Sequence, residues 1–168
     1  MAKAKSPIPA GFHTITPHLM LDQAADAIEW YKKAFGAEEV SPRALGPDGK
    51  IMHAELRIGN SIFMLNDTMG GGRSAQALGG SPIGLWIYVD DCDALYHRAV
   101  AAGGQVLPPP MGPLADQFWG DRTGSVNDPF GYAWTIATRK EDLTPEEANQ
   151  RMLEFMKQFK SQQQGAHA

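Results

Sequence analysis

The chain carries a single cysteine, Cys92, so no internal disulfide can form. A lone thiol at the start of a helix reads as a small buried residue, and so little cysteine suits a reducing cytoplasm. Long apolar runs are lacking, so no membrane-spanning helix is expected. The opening MAKAKSPIPAGF has lysines but no apolar stretch, so no secretory signal is expected. An excess of positive charge is missing too. Fifteen Lys and Arg face nineteen Asp and Glu, giving a net charge of -4 and a pI near 5.7. Without a basic stripe, nucleic acid is not an expected partner. What is present is 43% hydrophobic content in 168 residues, enough for one domain with a real core.

The strongest positive signal is an internal repeat. An apolar residue, Asp22, a helical run, Gly36 and Val40 recur as an apolar residue, Asp90, a helical run, Gly103 and Val106. Asp22 and Asp90 stand 68 residues apart, and Gly36 and Gly103 stand 67 apart. A near-constant offset of this size marks a duplicated supersecondary unit. Two units too small to close a core alone must pack together, and a cleft between them is a natural ligand site.

Thr14 to Leu21 reads as a first strand. Asp22 then caps a helix with Ala24, Ala27, Ile28, Tyr31 and Phe35 at helical spacing, ended by Gly36. Glu38 to Pro42 is a short strand, and GPDG at 46–49 is a turn. From Lys50 to Ile58 the pattern alternates, with Met52, Ala54, Leu56 and Ile58 opposite His53, Glu55 and Arg57. Gly59-Asn60 turns the chain into the hairpin partner Ser61 to Asn66. The Gly-rich segment 68–82 lacks the Gly-Lys-Ser/Thr of a phosphate loop and reads as a flexible linker or a cleft-edge loop. The second unit repeats the order: strand Ile83 to Val89, helix from Asp90 or Asp91 to Ala102, and short strand Gln105 to Leu107. A loop to Asp121 leads into a hairpin of 122–127 and 132–138 around DPFG. The predicted architecture is α+β: two tandem β-α-β-β-β units, 12–67 and 83–140, form a curved mixed sheet around a cleft. Thr144-Pro145-Glu146-Glu147 opens a C-terminal amphipathic helix over 141–160. Its stripe of Met152, Phe155, Met156 and Phe159 needs a surface to cover, in its own chain or in a homodimer. Residues 161–168 read as a disordered tail.

Strand parity supplies candidate cleft residues. The first strand leaves Thr16, His18 and Met20 off the helix-facing side. The third leaves His53, Glu55 and Arg57, the fourth Met64 and Asn66, the fifth Gly84, Trp86 and Tyr88, and the last Ala133, Thr135 and Ala137. His53 and Glu55, two apart on one strand, are the candidate catalytic pair, and His18 or His53 is the candidate metal-free general base. His18, Met64, Asn66, Trp86, Tyr88, Gln117, Trp119 and Arg122 are the candidate ligand-binding set. In DQFWGDR, Trp119 offers a stacking face and Arg122 an anion clamp; alternatively, Asp121 and Arg122 pair to fix the loop. His13 and His97 read as surface residues, and Asp128 as turn chemistry.

The paired units, the helix ending AFGAEE, and DPFG before the last strand resemble the vicinal oxygen chelate superfamily, the glyoxalase, bleomycin-resistance and extradiol-dioxygenase group. HAELRIGNSIFML, DQFWGDR and NDPFGYAWTIAT are similar to its PhnB-like branch. The resemblance spans about residues 12–140. It implies a small-molecule cleft and, in metal enzymes of the group, ligands on the first and last strands of both units. Those positions fall near Thr16, Met64, Gly84 and Thr135, none a good donor to a divalent metal. The expectation is therefore a cofactor-free, metal-independent homodimer that binds a small, partly aromatic or apolar molecule. The -4 charge favours a cationic one. The alternatives are a lyase, isomerase or dioxygenase with a divalent metal shifted to His18, His53 and Glu55, and a structural dimer with a vestigial pocket.

Overall fold

A computed structural model describes residues 3–165, with side chains through Ser161. The first unit runs β1 (His18–Leu21), α1 (Ala24–Phe35), β2 (Glu38–Glu39), β3 (Ala44–Leu45), β4 (Ile51–Ile58) and β5 (Ser61–Asp67). A short 3-10 turn, Gln76–Leu78, lies in the connection. The second unit runs β6 (Gly84–Tyr88), α2 (Cys92–Ala101), β7 (Gln105–Val106), β8 (Ala115–Asp116), β9 (Asp121–Asn127) and β10 (Ala133–Arg139). Helix α3 (Pro145–Gly165) closes the chain. The tandem repeat therefore holds, with one additional short strand in each unit: β3 and β8. Helix α3 continues through 161–165, where a disordered tail was expected; 166–168 lie outside the described residues.

Each unit has its own mixed five-stranded sheet. The orders are β1-β5-β4-β2 and β6-β10-β9-β7, with β3 added on β4 and β8 on β9. The β1–β5 and β6–β10 pairs are parallel, and the others are antiparallel. The two sheets are joined by a shared core. Aromatics of α1 reach across the repeat: Phe35 meets Trp134 at 4.9 Å in a tilted pair, and Tyr31 sits 5.5 Å from Trp134 and 5.6 Å from Phe63. Such pairs add about 0.5–1.5 kcal/mol each beyond the area they bury.

Polar contacts reinforce the join. Asp128 is buried and accepts from the Tyr31 hydroxyl at 2.7 Å, the Trp134 indole at 2.9 Å and the backbone N–H groups of Phe130 and Tyr132. Burial raises its carboxyl above the usual range, against the pull of these four donors. The DPFG turn residue is thus also a tie between units. Trp30 donates to the Ala102 carbonyl at 2.9 Å. Arg98 of α2 donates to the Lys32 and Lys33 carbonyls, covering the C-terminal end of α1. Gly36 ends α1 at φ 69°, and a Cβ there would press to 3.3 Å from the Arg98 guanidinium. Glycine serves both the left-handed turn and that close approach.

Local details depart from the sequence pattern in three places. Asp22 does not cap α1: its carboxylate accepts from Ser74 and Thr68, which hold it below its ordinary range, Ser74 most. The cap comes instead from buried Asp67, at the end of β5, which accepts from the Ala24 N–H and the Ile51 N–H, both at 2.8 Å. In the second helix Asp91 does cap, accepting from Ala94 N–H at 3.0 Å. Second, the linker is not a loose tether. Ser74 is buried on Asp22, and Ser81 N–H donates to the Gly131 carbonyl. Third, Ile51 is buried while Met52 is 48% exposed. The β3–β4 register slips at Ala44/Leu45, and this irregularity reverses the alternation before Ala54.

Candidate functional site

Both sheets turn their cores toward the helices, so each presents an outer face built from the alternate residues. On the first sheet, register places His18 beside Met64 and Met64 beside Glu55, a row across three strands. The next row carries Met20, Asn66 and His53. His18 Nε2 lies 2.5 Å from Asn66 Oδ1, and the Asn66 amide donates to the Asp67 carbonyl. His53 Nε2 lies 3.1 Å from Glu55 Oε1, and the Ser41 hydroxyl donates to Glu55 Oε2 at 3.1 Å. This face brings the expected catalytic pair together, with each polar group already partnered. The strand begins at His18, two residues later than Thr16, whose hydroxyl bonds the His13 carbonyl outside the sheet.

The second outer face is different in kind. Register aligns Trp86 with Thr135 and Thr135 with Ser125, and aligns Tyr88 with Ala137 and Ala137 with Thr123. Trp86 and Tyr88 are 45% and 60% exposed, large aromatics left bare. Their rings are 6.0 Å apart, and Trp119 approaches Trp86 at 6.5 Å. Beneath them Ser125 and Thr135 share a 2.9 Å hydroxyl contact. Asp121 lies behind the aromatics: its Oδ2 accepts from the Tyr88 hydroxyl at 3.0 Å and the Trp119 indole at 3.1 Å. Burial, and then the bond to Asp121, raise the Tyr88 phenol above its ordinary range, so it stays a neutral donor.

The ten expected residues therefore fall in separate places. His18, His53, Glu55, Met64 and Asn66 share the first face; Trp86, Tyr88 and Trp119 share the second. Gln117 lies in the turn before Trp119, and its side-chain amide reaches the Ala115 carbonyl at 3.5 Å. Arg122 points to the helix side of β9. It grips Asp93 with two bonds of 2.7 and 2.8 Å and reaches Asp116 at 3.1 Å. That guanidinium lowers the Asp93 carboxyl to about 2. Asp121, read from sequence only as a loop-fixing partner of Arg122, instead belongs to the aromatic face. Its position two residues before Thr123 and four before Ser125 gave that signal by alternation.

A cavity of about 450 Å³ opens between the units, lined by Pro17, the β4–β5 turn from Ile58 to Phe63, Leu85 to Val89 on β6, and Trp134. It touches the aromatic face at Trp86 and Tyr88 and has no lining residue among the first-face set. This cavity therefore takes in Trp86 but not His53. Register offers His18 beside Met64 and Trp86 beside Thr135, and among the described residues no three His, Cys, Asp or Glu side chains gather as an ion needs. Helix α3 packs Phe155 on Phe118 at 5.2 Å, and Phe118 edges Trp119 at 4.9 Å, so α3 braces the aromatic face from behind. Met152 and Met156 stay exposed. Among the described residues no helix is long and apolar enough to cross a membrane.

Paired units of this order, each with one face turned outward, define the glyoxalase-type architecture. The chain belongs to the Glyoxalase/Bleomycin resistance protein/Dioxygenase superfamily, whose family model matches residues 11–136. It is 44% identical over 138 residues to Rv0887c of Mycobacterium tuberculosis (strain ATCC 25618 / H37Rv), covering 79% of this chain and 78% of that protein. The solved product of Arabidopsis thaliana At5g48480 is 29% identical with a TM-score of 0.60, covering 75% of this chain and 98% of that one. A PhnB protein from Bacillus cereus shares the fold at 21% identity and a TM-score of 0.56, over 75% of this chain and 99% of that one.

Proposed function

We propose that this protein binds a small, partly aromatic or apolar molecule on the Trp86–Tyr88–Trp119 face, without a metal, as a binding or sequestering protein of a reducing cytoplasm. The observation that carries this reading is the bare aromatic wall over a hydroxyl floor, the usual make-up of a small-molecule site. The site is completed by a second copy of the chain. Each outer face leaves large apolar side chains exposed: Met20 on one, Trp86 and Tyr88 on the other. A twofold pair that lays the first face of one chain over the second face of its partner covers both and encloses two equal sites. Tryptophan fluorescence against a panel of planar aromatic compounds tests binding: saturable quenching that Trp86→Ala abolishes is expected, and no quenching by any compound sinks the reading. Light scattering tests the pair, which should weigh twice 18.3 kDa.

An enzymatic reading is favoured by one observation, the 3.1 Å His53–Glu55 contact at a partly exposed imidazole. In the proposed pair this couple would face the aromatic wall of the partner. Turnover of a bound compound that His53→Ala removes, with binding intact, would establish it.

A further inference from the structure

We propose that the aromatic face is a site for an organic cation, a small alkylated ammonium held on Trp86, Tyr88 and Trp119 with the Asp121 carboxylate behind them. This rests on the aromatic-site reading above and narrows its ligand. Asp121 is 3% exposed, and while its Oδ2 takes both ring donors, its Oδ1 has no hydrogen-bond partner. A buried carboxylate oxygen without a donor is costly in a fold, and a positive charge in front of the wall offsets that cost through space.

The same carboxylate prepares the rings. One oxygen accepts from both the phenol O–H and the indole N–H, which pushes electron density into the two π-systems. A denser π-face attracts a cation more strongly. Bare ring area alone would serve any flat ligand; the buried charge adds a preference by sign. The surroundings do not cancel it. Arg139 is the cation whose field reaches Asp121 and Tyr88, and its guanidinium is paired with Asp142 at 2.7 Å. The strand residues under the rings carry no cation: they are Ser125, Thr135, Ala137 and Thr123, whose Oγ1 is also buried without a partner.

The test compares choline with 3,3-dimethylbutan-1-ol, its uncharged isostere, on the full chain, followed by tryptophan fluorescence and indole N–H NMR shifts. Choline should bind about tenfold tighter than the alcohol. Asp121→Asn should cut that margin below about threefold while leaving the alcohol within about twofold. Trp86→Leu should weaken both. Trp86 is half-exposed and its side chain makes no hydrogen bond among the described residues, so this variant keeps the test valid if Asp121→Asn fails to fold. Equal affinity for the two compounds, or a margin that survives Asp121→Asn, overturns the cation inference and leaves the aromatic site standing. Silence of all indole signals with both compounds at about 10 mM overturns both.

Discussion

The two units share one chain order and use it for opposite ends. In unit one the buried carboxylate at the end of β5, Asp67, bonds backbone of its own unit, starting α1 and fixing β4. In unit two the buried carboxylate after β9, Asp128, reaches into the other unit to hold the Tyr31 hydroxyl. The outer faces differ in the same sense. The first is closed chemically, each polar side chain answered by a neighbour; the second keeps bare aromatics and an unanswered oxygen on Asp121. A duplicated fold thus divides its labour: one copy is finished as scaffold, the other is left open for recognition.

The sharpest way to break this comparison is to delete the two carboxylates. Asp128→Ala strands a phenol, an indole and two backbone N–H groups in the core, and should cost about 3–5 kcal/mol. Asp67→Ala strands two backbone groups and should cost about 2–3 kcal/mol. Urea unfolding measures both. Equal costs would mean that Asp128 acts only within its own hairpin. Next in size is Trp86→Ala, which should weaken an aromatic ligand about tenfold while shifting stability by less than about 0.5 kcal/mol. His53→Ala should leave binding within about twofold. The reverse ranking would move the site to the first face.

Acid distinguishes the units more finely. Arg43 first, with Lys32, lowers Glu39 of unit one to about 2, from an ordinary 4.5. Arg122 lowers Asp93 of unit two to about 2, from an ordinary 3.8. A depressed carboxyl stabilises the fold above its unfolded value and loses that stabilisation as pH falls through the folded one. The urea-midpoint gap between wild type and Arg43→Met should therefore start to close near pH 4.5, and that for Arg122→Met nearer 3.8, both vanishing below about 2. Gaps that hold flat to pH 2 would show that the arginines act by packing alone. A modest effect is expected from truncation after Lys140. It should cost about 1 kcal/mol by removing Phe155 from Phe118, and leave the dimer intact. A monomeric truncate would make α3 the interface.

Periodicity made the fold legible because the core is on one side of every long element. Leu19 and Leu21, Ala54 and Leu56, Phe63 and Leu65, and Trp134 and Ile136 are buried as alternation requires. Alternation failed at Met52, the extra residue of β4 where its pairing with β3 slips. The Asp22 cap failed because Ser74, 52 residues away, competes for the carboxylate and Asp67 is better placed. The site was half legible. Trp86 and Tyr88 follow from parity, and the His53–Glu55 contact from spacing along one strand. Arg122 misled because a long cationic side chain next to Asp121 suggested an ion pair there, while Asp93, in the first turn of α2, takes it. The separation of the two faces was invisible, since parity gives the side of a sheet and not how two sheets are set.

One contiguous core spans both units, with α1 aromatics seated on unit-two strands. One sheet and one helix standing alone would leave those rings in water, so neither half of the repeat can close its core without the other.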